Sequence, residues 1–95
     1  MSTVERRAAA RANQRAAAFV RFQLLGDHEA MRYLLVDAVE NERAQLEFLT
    51  ALASIAGSLA DSAFGRERAL TYLRSLAESS AALSDADDID RYFEP

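Results

Sequence analysis

The chain has 95 residues, 51% of them apolar, with no cysteine and a formal net charge of −4. Such a length supports a single core, and the lack of cysteine excludes disulfides and thiolate metal sites. There is no apolar run of the ~18 residues a membrane span needs and no signal-peptide pattern, so the sequence reads as a cytoplasmic protein without a membrane partner.

Glycine occurs only at Gly26, Gly57 and Gly65, and the one proline is Pro95, so helix stops are easy to place. The first predicted helix runs from Thr3 to Leu25, capped by Ser2 or Thr3, with Glu5 in its first turn. Its apolar stripe is Val4, Ala8, Ala12, Ala16, Phe19 and Val20. Beside the stripe, Arg7, Arg11 and Arg15 recur every fourth residue, with Arg6 and Arg21 flanking them. Gly26 followed by Asp27 reads as a left-handed stop leading straight into the next N-cap.

From Asp27 an apolar stripe continues to Phe64 without a proline, which predicts one long central helix. Met31, Leu34, Leu35, Ala38, Leu46, Leu49, Leu52, Ala56, Leu59 and Ala63 form the stripe, with Gln45 in it and Ala53 at its edge. Gly57 is its weak point, costing roughly 1 kcal/mol relative to alanine, so any bend is expected there. Gly65 ends it, and a third helix is predicted over Arg66–Leu83. Ser84 or Asp85 can cap a short last helix in an acidic tail over 84–95.

The fold class is therefore all-α: a three-helix antiparallel arrangement with a long central helix, plus a short C-terminal helix. Residues 1–83 form one helical domain. Large anchors are few, and alanine supplies much of the apolar content, so a second copy is expected to complete a thin core as a homodimeric bundle. The second flank of the long helix, with Tyr33, Phe48, Ala51 and Ile55, is the expected oligomer interface.

Three groups of polar or mixed residues are candidate sites. Arg7, Arg11 and Arg15 could track phosphates along one face. Against that stand the acidic balance, the absence of lysine and the lack of aromatics between the arginines. Asn41, Glu42 and Gln45 interrupt the apolar stripe, where a paired polar group could set register and oligomer state. The competing reading is a plain solvated stretch. In the tail, Ile89, Tyr92 and Phe93 lie among Asp85, Asp87, Asp88 and Asp90. They could serve as anchors for a partner's groove, although docking back on the bundle is the preferred reading.

His28 is the only histidine, no Glu-x-x-His pair exists, and no phosphate-cradling glycine loop or nucleophile elbow is present. The expectation is accordingly non-enzymatic, with no cofactor and no metal. The chain is expected to act as a helical interaction or regulatory protein, through helix pairing with itself and with an unidentified protein partner. A nucleic-acid-associated regulator using the arginine face is the alternative.

Overall fold

The computed structural model describes residues 2–85. Among these residues the secondary structure is entirely helical: α1 Thr3–Leu25, α2 His28–Ala38, α3 Glu42–Phe64 and α4 Arg66–Ser84. The tail anchors Ile89, Tyr92 and Phe93 and the short last helix lie outside the described residues.

Local chemistry explains most of the helix ends. Ser2 caps α1, its hydroxyl accepting from the Glu5 N–H at 3.1 Å. At the other end Gly26 adopts the left-handed conformation with φ 72°, and the Asp27 N–H returns to the Phe22 carbonyl at 3.0 Å. The Asp27 carboxylate then accepts from the Ala30 N–H at 3.1 Å, so α2 begins where α1 has stopped. Gly65, at φ 80°, separates α3 from α4 in the same permissive way.

The long central helix expected from Asp27 to Phe64 is two helices. The chain leaves helical geometry after Ala38 and re-enters it at Glu42. Asn41 is the cause, because its side-chain oxygen accepts from the Ala44 N–H at 2.9 Å and satisfies a donor that a helix start leaves orphaned. Glu42 then occupies the first turn of α3, where its charge favours the dipole. A cap of this kind competes with continuation of the helix, and here it wins although the apolar stripe resumes beyond it. Gly57, where the weak point was expected, does not end the helix and sits within α3. Asn41→Ala is expected to lower stability by about 1 kcal/mol, with a range of roughly 0.5–2, read from the urea midpoint.

Contacts divide the chain between Leu59 and Ala60 into two compact units. In the first unit α1, α2 and most of α3 share a core of Ala12, Ala16, Ala38, Phe48 and Ala51. Phe19, Leu34, Leu35, Leu52 and Ile55 pack against it, half-buried. Ala16 and Ala38 are fully buried, and side chains this small let helix surfaces meet closely. Phe48 is the one large side chain among the buried residues, and its ring meets that of Phe19 edge-on at 5.6 Å.

The second unit contains the end of α3 and α4. Ala69 is buried there, while Leu70, Tyr72, Leu73 and Leu76 are all exposed. The helix carries its own local support: Thr71 Oγ1 donates to the Glu67 carbonyl at 3.0 Å, and Arg74 lies 4.0 Å from Glu78.

Candidate interaction surface

The flank expected to meet a second copy turns out to be the core. Phe48 and Ala51 are buried and Ile55 packs half-buried beside them, covered by helices of the same chain. Only Tyr33 of that group remains open, 70% exposed on α2 beside an equally exposed Val36. The physical reason lies in the break at Asn41. Three non-helical residues between α2 and α3 reset the helical phase, so the stripe on α2 does not dictate which face of α3 turns inward.

With Phe48 inward, the other face of α3 turns outward. Leu46 is 65% exposed and Leu49 51% exposed, and Ala53 and Ala56 are exposed with them. These four residues follow at intervals of three, four and three, within an arc of about 80° on the helix. The core residues Phe48 and Ile55 lie roughly 140° further round. One helix thus has two apolar faces, of which the fold covers one.

The polar candidates take up ordinary places. Asn41 caps α3, while Glu42 and Gln45 are exposed, so none of the three is a buried polar group seeking a partner within the chain. Arg43 instead pairs with Glu47 one turn on, at 3.0 Å, an exposed pairing of the kind that contributes little. Asn41 carries the signal that sequence reading could have used, since Glu40, Asn41 and Glu42 form a polar interruption beginning with good capping chemistry.

Along α1, Arg7 and Arg11 are exposed and Arg15 is half-buried. Arg11 and Arg15 line an open groove of about 570 Å³ between α1 and α2, together with Phe22, Tyr33 and Asp37. They also line a smaller one of about 170 Å³ that holds Glu40 and Glu47. The ladder therefore runs between carboxylates, which lower the positive potential that a phosphate backbone would meet. A third groove, about 430 Å³, lies between α1 and α3, with Glu5, Ala9, Arg43 and Leu46 along it. Among the described residues no three His, Asp or Glu side chains gather as a metal site would require, and no single helix is long and apolar enough to cross a membrane.

The chain matches no protein-family model, no curated protein and no solved structure. The largest unexplained feature among its own residues is apolar surface.

Proposed function

We propose that this protein is a non-enzymatic helical interaction module that works by pairing its helices with those of a second copy, in a cytoplasmic regulatory setting with a further protein partner. One observation carries the reading: the buried core is five alanines and one phenylalanine, while Leu46, Leu49, Leu59, Leu70, Leu73 and Leu76 are all about half or more exposed. Scattered apolar residues on a surface are ordinary, but leucines recurring at helical spacing, as Leu46 and Leu49 do on α3 and Leu70, Leu73 and Leu76 on α4, are the pattern of an interface. Covering each such side chain is worth about 1–2 kcal/mol, enough for several of them to hold a small homodimer together. The antiparallel bundle expected from the short connections after Gly26 and Gly65 belongs to the same reading.

Size-exclusion chromatography with light scattering tests it, run at low and high salt with absorbance at 260 and 280 nm. The expected result is a dimer free of nucleic acid whose mass does not change with salt. A monomer at all accessible concentrations would sink the proposal. Nucleic acid that co-elutes at low salt and leaves at high salt would favour the arginine face instead, since phosphate contacts weaken steeply with salt. In that event the double variant Arg11→Glu/Arg15→Glu should abolish binding. On the helix-pairing reading the same variant keeps the dimer and changes its affinity less than about threefold, because surface charges away from an interface contribute little.

A further inference from the structure

We infer that the exposed face of α3 pairs with the same face of a second copy in antiparallel orientation, with Leu46 against Ala56 and Leu49 against Ala53 of the second copy. The inference rests on the helix-pairing reading above and names the partner and the register of that interface.

The face has a gradient of size. Its N-terminal half presents Leu46 and Leu49, and its C-terminal half presents Ala53 and Ala56. In an antiparallel pair whose opposed residue numbers sum to 102, every leucine meets an alanine, and each contact occurs twice by the two-fold symmetry. Large against small at every layer fills space evenly, as close packing requires. A parallel pair would set leucine on leucine at one end and alanine on alanine at the other. The helices would then be held apart where the leucines meet and leave a gap where the alanines face each other.

Charge supports the same orientation. Glu42 lies on the same arc as Leu46, one turn earlier, and Arg43 and Glu47 lie together to one side of it. Parallel pairing would bring Glu42 against Glu42 of the second copy, which is unfavourable. In the antiparallel register Arg43 and Glu47 fall beside the stretch from Ser54 to Leu59, which holds no charge. Opposed helix dipoles add to the preference. Leu46 and Leu49 are 65% and 51% exposed in the single chain, so covering this face on both copies takes four large apolar side chains out of water.

The absence of cysteine makes the register directly measurable. Leu46→Cys and Ala56→Cys are made separately, and each exposed position should leave the thermal melt close to that of the parent. In the antiparallel register Leu46 of one copy lies beside Ala56 of the other, while the two Leu46 positions are ten residues apart along the axis, about 15 Å. That exceeds the ~7 Å Cα separation a disulfide tolerates. Under mild oxidation the mixture of the two variants should therefore form a cross-linked dimer at least tenfold faster than either variant alone. Self-cross-linking of Leu46→Cys at the rate of the mixture would overturn the register while leaving helix pairing intact. Wild-type protein that is dimeric, with no cross-link in any mixture, would overturn α3 as the seam. Wild-type protein that is monomeric removes both readings together.

Discussion

Replacing Phe48 by alanine is expected to remove about 3–5 kcal/mol of stability, the cost of truncating a buried aromatic side chain. A small domain holds roughly 5–15 kcal/mol in total, so this one change should take the first unit to the edge of unfolding. The expectation is at the upper end for a specific reason. Phe48 is 2% exposed, and the other buried residues of its cluster are alanines. Those alanines are too small to refill the space it would leave, and the larger neighbours Phe19, Leu34, Leu35, Leu52 and Ile55 pack only half-buried around the cluster. The edge-on contact with Phe19, worth about 0.5–1.5 kcal/mol beyond burial, is lost as well. Urea unfolding followed by circular dichroism is the measurement, with Phe48→Leu as a milder control that refills part of the volume. A midpoint for Phe48→Ala close to wild type would mean that Phe48 is not the centre of this core.

The neighbouring residue should behave in the opposite way. Leu49→Asp is expected to leave the fold nearly intact and to raise the dimer dissociation constant at least about 100-fold, equivalent to roughly 2.7 kcal/mol. Leu49 is half exposed in the single chain, so an aspartate there remains hydrated while the chain is alone. At a paired interface the same carboxylate would be buried against the second copy without a partner, and the penalty falls on association. Sedimentation velocity across a concentration series gives the constant, and far-UV circular dichroism shows whether the helices persist. Unchanged association would remove Leu49 from the interface. Two adjacent residues, 100° apart on one helix, thus separate a loss of fold from a loss of pairing.

Much of this molecule follows from local chemistry alone. The all-helical class, the bounds of α1 and the stop at Gly26 are readable because a capping hydroxyl and a left-handed glycine act within three or four residues of themselves. The α4 helix is readable for the same reason, its N-terminal limit at Gly65 and its length coming from spacing and punctuation. The Asn41 cap is equally local, but in the sequence it stands inside an apolar stripe that resumes beyond it. Such a stripe shows that apolar residues recur, and it cannot show that the backbone between them stays helical.

The facing of α3 is a different kind of fact. Its sequence carries two apolar faces, one centred on Phe48, Ala51 and Ile55 and the other on Leu46, Leu49, Ala53 and Ala56. Either could be buried by amphipathicity alone, and the larger leucines favour the second. The choice is made by the short non-helical stretch at Val39–Asn41, which resets the rotation of α3 relative to α2. It is also made by Phe19 on α1, whose ring receives Phe48 edge-on. By itself the sequence determined that helices form and where most of them end, since those are interactions between near neighbours. Only the tertiary structure decided which face of α3 is inside, because that depends on the phase between helices and on a contact between residues 29 positions apart.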